Sequence, residues 1–330
     1  AFTFRYNALY YPIVASVAIL LSRFQIGYKI GAILLQFVLV GAFMLFTSSM
    51  IQGMTGINQF SPVGGWHIAN NALYMYEHTY REDKDPVPAK FREVDSVVRH
   101  YFDYSYRDQN LLNYGIGGGG DFYENNDSSP LRKYMYWKYR VNDFFQSFSA
   151  WGAMGSICSG YGNYLIKKHP LDYSRYYMWP NTIRYFSPPT EIFTMQSPYY
   201  LRHDDLGKMA AQQFGLKTLT VAGQLIKFRS SLFSYYPVVF ALVNLFFILS
   251  FIGFCFFSGI KRTNIANLYM IFLFVLLWFC NFCFSVASAS IFLRYQIFIL
   301  IVQFAIGLLL AEVIYLKGEK KPEMPQPSNG

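Results

Sequence analysis

Apolar residues in this chain form long unbroken runs toward both ends and fall at helical spacing in between. Five runs reach or approach the ~20 residues needed to cross ~30 Å of hydrocarbon as a helix. They are "ALYYPIVASVAILLS" from Ala8, "IGAILLQFVLVGAFMLF" from Ile30, "VVFALVNLFFILSFIGFCFF" from Val238, "IANLYMIFLFVLLWFCNFCFSVA" from Ile265 and "YQIFILIVQFAIGLLLAEVIYL" from Tyr295. The first is short and gains length if Phe4 and Tyr6 join it. Lipid offers no partner to a backbone N–H or C=O, so runs of this kind close their hydrogen bonds within helices. The pattern predicts an α-helical polytopic membrane protein with about five transmembrane helices and a mostly α-helical extracytoplasmic domain. Two helices are expected in residues 1–51, the domain in 52–234, three helices in 235–317, and a disordered cytoplasmic tail in 318–330.

Within the polar midsection the period stays helical. In "WHIANNALYMYEHTYRE", Ile68, Ala72, Leu73, Tyr76 and Tyr80 share one face. Pro86 and Pro88 then stop the chain from continuing as a helix. "AKFREVDSVVRHYFDYSY" repeats the pattern with Phe91, Val94, Val98 and Phe102, and helical spacing resumes from "SPLRKYMYWKYR" to "LIKKHP". Alternating strand-like runs are few. Gly117 to Gly120 lack the Gly-Lys-Ser/Thr ending of a phosphate loop and follow no strand, so they read as a flexible surface loop. "HPLDYSRYYMWPNTIRYFSPP" interleaves Tyr173, Tyr176, Tyr177, Trp179, Tyr185 and Phe186 with Arg175 and Arg184. Such a mixture fits a helix at the membrane–water boundary and equally one packed on the domain's own core.

Charge supplies the orientation. Lys and Arg collect in the turn with Arg23 and Lys29, in "GIKRTN" with Lys261 and Arg262, and in the tail "KGEKK". With five crossings all three fall on one side, which the positive-inside tendency makes cytoplasmic. Residue 1, the large midsection and the turn holding Arg294 then lie outside. No signal peptide and no initiator Met precede that outer residue 1, so the expectation is a fragment or processed product lacking upstream spans. The chain is 53% hydrophobic and 14% charged, against about 25% charged in soluble domains. Its net charge of +9 comes with no run of five Lys/Arg and no nucleic-acid motif, so membrane lipid is the expected partner and nucleic acid is not. Of the four cysteines, only Cys158 lies outside an apolar run, and Cys280 and Cys283 read as small buried hydrophobes.

Candidate chemistry is sparse. The histidines, among them His67, His78 and His203, show no H-E-x-x-H spacing. His67 and His78 are eleven apart and would share a helix face, a weak metal-site signal beside the reading as ordinary surface or core histidines. "RHDD" sets Asp204 and Asp205 beside His203, and "REDKDP" holds Asp83 and Asp85. Either pair suits a divalent cation or a general base, or forms a solvated face, so a divalent metal is possible and no cofactor is firmly implied. Trp66, His67, His203, Asp204 and Asp205 are the candidates for an acceptor site. Arg294, beside Tyr295, is the one cation between Ile265 and Leu316. At the mouth of a span it is either a snorkelling anchor or a clamp for the phosphate of a lipid-linked substrate. Arg5 stands in the same relation to the first span. Arg294, Tyr295 and Arg5 are therefore the lipid-phosphate candidates.

"FRYNALYYPIVASVAILL", "HPLDYSRYYMWPNTIRYF" and "SASIFLRYQIFILIVQF" together resemble the later half of bacterial GT-C membrane glycosyltransferases, a class related in architecture to dolichyl-phosphate-mannose protein mannosyltransferases. The resemblance implies a multi-pass enzyme of the bacterial inner (plasma) membrane that moves a sugar from a polyprenyl-phosphate donor to an extracytoplasmic acceptor. It also implies a catalytic acidic residue in a first external loop, which has no counterpart here. The competing reading is a non-enzymatic, membrane-anchored binding or assembly subunit for cell-envelope glycans.

Overall fold

The computed structural model describes residues 11–107, 122–141, 144–188, 213, 235–257, 259–288, 291 and 293–318. Among them every regular element is a helix. In chain order these are α1 (Tyr11–Leu21), α2 (Ile26–Thr55), α3 (Pro62–Thr79), α4 (Arg92–Arg107, entered through a 3-10 turn, Ala89–Phe91), α5 (Phe122–Asn125) and α6 (Pro130–Tyr139). There follow α7 (Phe144–Lys168), α8 (Pro170–Tyr173) and α9 (Trp179–Phe186), the last two joined by a π-turn, Ser174–Met178. The final four are α10 (Tyr236–Phe256), α11 (Gly259–Arg262), α12 (Ile265–Ser288) and α13 (Leu293–Gly318).

Four helices are long and apolar enough to cross a membrane: α2, α10, α12 and α13. They present large apolar side chains outward, for example Leu45, Phe46, Leu242, Phe272 and Phe298. Water would make that surface costly, whereas lipid matches it. The protein is thus a helical membrane protein. α1 is apolar but has only 11 residues. The residues that precede it, Phe4, Arg5 and Tyr6 among them, lie outside the described residues. One expected boundary moves. α2 runs past position 51 to Thr55, where Gly56 adopts φ 74° and its N–H bonds the Gln52 carbonyl. A left-handed glycine is the ordinary way for a helix to stop.

The midsection has its own core. Trp66, Leu73, Met75, Tyr76, Val94, Val98, Leu131, Met135, Met154 and Tyr161 are all buried together. Its axis is the pair α3–α7, which run parallel and nearly backbone to backbone. A Cβ on Gly65 would overlap the Gly155 carbonyl. One on Gly155 or on Gly162 would lie 2.7 Å from the backbone of Pro62 or of Ala69. Ser61 caps α3 by accepting from the Gly64 N–H at 3.1 Å, and Ser129 caps α6 by accepting from Arg132 N at 3.3 Å.

The π-turn has a local cause. Pro180 has no N–H to donate and its ring crowds the preceding turn. The widened turn absorbs this, with the Trp179 N–H reaching back to Ser174 O, so the chain stays helical through the proline.

Membrane helices and domain are joined by hydrogen bonds at one end. Gln59 donates to the Gly152 carbonyl and Ser149 to that of Met54, tying the end of α2 to α7. Tyr173 donates to Ala287 O at 2.7 Å and Ser187 to Pro237 O at 3.3 Å. The last turns of α2 and α12 and the first turn of α10 therefore face the domain.

Candidate functional site

Three polar constellations are built by this fold. The first lies at the ends of α3 and α7. Asp83, beyond α3, is buried, with Lys168 Nζ at 2.5 Å and His169 Nε2 at 3.1 Å. Arg99 on α4 is the hub: Nη1 donates to the carbonyls of Tyr80 (2.8 Å) and Asp83 (2.9 Å), and Nε donates to Asp95 at 2.7 Å. Arg99 also bonds the Tyr76 hydroxyl. Asp95 in turn accepts from Tyr161 (2.8 Å) and Tyr76 (3.2 Å). Burial pushes the Asp83 carboxyl upward, but hydrogen bonds from Lys168 and His169 outweigh it and hold the group below the usual carboxylate range. Above this network opens a cleft of about 780 Å³, lined in part by Tyr80, Arg81, Lys84, Arg92, Arg99 and Asp103.

The second lies on the opposite side of α3. His67 Nδ1 faces the buried Glu124 carboxylate. Tyr123 OH donates to Glu77, and Glu77 also meets His78 at 3.5 Å. Burial raises the Glu77 carboxyl to about 7, only partly offset by the Tyr123 hydroxyl, and burial lowers His78, which stacks on Tyr176 with centroids 4.4 Å apart.

The third lies among the spans, at their domain-side half. Asn281 donates to Tyr185 OH at 2.9 Å and to Gln296 at 3.3 Å, and Gln296 donates to Ser285. Gln303 donates to Asn244 at 3.0 Å, and Asn244 donates to the Phe186 carbonyl at 3.1 Å. Read in sequence, Asn281 and Gln303 look scattered. In the fold each is a bond between helices, the arrangement that buried amides adopt in lipid.

The candidates of the sequence end in different places. Trp66 is 1% exposed, stacked on Trp151 and covered by the Arg132 guanidinium, so it is part of the core rather than a surface contact. His67 is paired with Glu124 and stands apart from His78, which is paired with Glu77. Among the described residues no group of three or more His, Cys, Asp or Glu is placed to hold a metal ion. Asp83 is not part of a solvated face, since it is buried among the side chains of Arg99, Lys168 and His169, whereas Asp85 is exposed as a solvated face would be. Arg294 and Tyr295 fall in the first turn of α13, with their side chains outside the described residues. That turn is at the domain end: Ile291 packs with Tyr185 and Val286, and Gln296 reaches Ser285 near the end of α12. Arg5, His203, Asp204, Asp205 and Gly117 to Gly120 lie outside the described residues.

Lys168, His169 and Arg99 were not legible as site residues. Lys168 and His169 are 85 and 86 positions from Asp83, and no local spacing joins them. The only signal was the basic pair in "KKHP" at a helix end. No family model, no curated protein and no solved structure matches this chain.

Proposed function

We propose that this chain is part of an integral membrane glycosyltransferase of the GT-C kind, working at the boundary between the spans and the helical domain. The donor is a sugar on a polyprenyl phosphate that approaches sideways through the bilayer. The acceptor hydroxyl's oxygen bonds to the anomeric carbon as the bond to the lipid phosphate breaks, and the hydroxyl proton passes to a carboxylate acting as general base. Arg294 compensates the charge that builds on the departing phosphate. The observation that carries this reading is the position of the first turn of α13 at the domain end of the spans, close in sequence to Ile291 on Tyr185. A guanidinium there meets headgroup phosphates without crossing the hydrocarbon centre, where it would cost about 2.5–3.5 kcal/mol or more. On this reading the domain faces the extracytoplasmic side.

The test is sugar transfer by the reconstituted full-length protein from a labelled polyprenyl-phosphate hexose. Arg294→Ala is expected to slow transfer by about 10²–10³, the loss seen when one charge-stabilising donor is removed. Arg294→Lys should recover part of that. Wild-type rates in Arg294→Ala would overturn the clamp.

A second reading, a non-enzymatic binding or assembly subunit for cell-envelope glycans, is favoured by one observation. The carboxylates beneath the cleft, Asp83 and Asp95, are engaged by Lys168, His169, Arg99 and Tyr161 rather than held ready to take a proton. Glycan binding by the full-length protein with no transfer from any lipid-linked donor would select it.

A further inference from the structure

The segment α8–π–α9 has two faces. Tyr173, Tyr177 and Tyr185 point inward to the core and to α12. Leu171 (83% exposed), Trp179 (64%) and Ile183 (56%) point outward, with Arg175 exposed over the Tyr176 ring. What covers that outward face follows from where the segment is anchored along the spans.

Two tyrosine hydroxyls of equal reach set its slope. Tyr173 bonds the carbonyl of Ala287, beside the end of α12, whereas Tyr185 bonds Asn281, six residues farther in. At 1.5 Å per residue the segment therefore descends roughly 9 Å along α12. A third anchor agrees. The Phe186 carbonyl accepts from the Asn244 amide, which also bonds the Phe240 carbonyl, four residues and so roughly 6 Å inside α10 from Tyr236, while Ser187 bonds Pro237 O nearer the edge. α10 has 21 residues, just the length of a hydrocarbon crossing, so its domain end marks the edge of the apolar layer. The end of α9 therefore lies below that edge. Along the descent the outward residues are ordered Leu171, Arg175, Trp179 and Ile183. An arginine at headgroup level followed by a tryptophan and then an aliphatic side chain is the order the interface favours.

We propose that α8–π–α9 is a membrane-dipping helix whose outward face is covered by the domain-side lipid leaflet, with Trp179 at the interface, Ile183 among acyl chains and Arg175 at the phosphates. The inference rests on the spans and these hydrogen bonds, and not on the glycosyltransferase reading. It makes the leaflet beside α9, α10 and α12 a surface that the domain itself enters.

Quenching of tryptophan emission tests it in the full chain reconstituted into phosphatidylcholine nanodiscs. The contribution of Trp179 is the wild-type signal minus that of Trp179→Phe. A second probe, Ile183→Trp in the Trp179→Phe background, reports one turn deeper. Both replace exposed side chains, and circular dichroism checks that each variant is folded. Lipids brominated in the upper acyl chain are expected to roughly halve both contributions, and aqueous iodide to leave the deeper probe nearly untouched. Emission at both positions quenched by iodide and indifferent to bromolipid would overturn the proposal.

Discussion

Glu77 shows how much one buried carboxyl can govern. It sits under Tyr123 and beside His78 on a helix that is mostly buried. Burial holds its carboxyl near 7 in the folded protein, against an ordinary 4.5. The folded state therefore binds the proton more tightly than the unfolded chain does. Its favourable contribution is complete below about 4.5 and is lost as pH rises through about 7, a change on the order of 3 kcal/mol. Wild-type protein in detergent is expected to lose thermal stability between pH 5 and 8. Glu77→Gln, which keeps an acceptor for Tyr123 but cannot ionise, should lose that fall and leave the opposite trend of His78, whose lowered proton affinity favours the folded state as pH rises. Equal pH slopes in the two proteins would show that Glu77 does not carry the effect. Asp83 has the opposite sign: its carboxyl is held down by Lys168 and His169, and its support fades only as pH falls through its depressed value.

Among the elements, the membrane helices and most domain helices were legible, and for different reasons. A span is read from composition alone, because lipid asks only for apolar length. α3 and α4 were read from Leu73, Tyr76, Val94 and Val98 recurring at helical period. What joins helices was not legible, because it depends on residues far apart in the chain. The parallel α3–α7 contact depends on Gly65 meeting Gly155 and Gly162 meeting Ala69, and glycines in "GAMGSICSGYGN" carry no periodic apolar signal. The sequence of the boundary helix fits either outcome, core or membrane. Its tyrosines turn to the core and to α12 while Trp179 turns outward, a division that only the distant partners Asn281 and Asn244 settle. Gly155→Leu should be the severe change in this region. A backbone-to-backbone contact cannot yield as a flexible side chain can, so the cost should reach or exceed the upper end of the about 1–3 kcal/mol typical of overpacking. Gly64→Ala, whose new methyl would meet only the Ser61 side chain at ordinary distance, is the control and should unfold near wild type. Thermal unfolding of both variants in the same detergent decides whether the α3–α7 crossing is the weak point.

At the scale of the molecule, charge and packing point the same way although they are independent. The domain meets the end of α2, the start of α10, the end of α12 and the start of α13. The opposite ends carry Lys29, which donates to the Leu20 carbonyl at the close of α1, and Lys261 and Arg262 in α11. α2 alone has 30 residues, so roughly 45 Å of helix separates its basic end from the domain. Basic residues in short connections are retained in the cytoplasm, whereas long segments translocate largely regardless of their charge. The domain should therefore be extracytoplasmic. Single cysteines at Asp85→Cys, in the exposed loop after α3, and at Lys261→Cys test this with a membrane-impermeant maleimide on sealed right-side-out vesicles. Cys158 is buried and Cys255, Cys280 and Cys283 lie in spans, so native thiols should add little background. Asp85→Cys is expected to react at once and Lys261→Cys only after the vesicles are opened. The reverse order would put the domain in the cytosol. It would also separate the first turn of α13 from an extracytoplasmic donor, and the proposed sugar transfer would lose its geometry while the dipping helix kept its own.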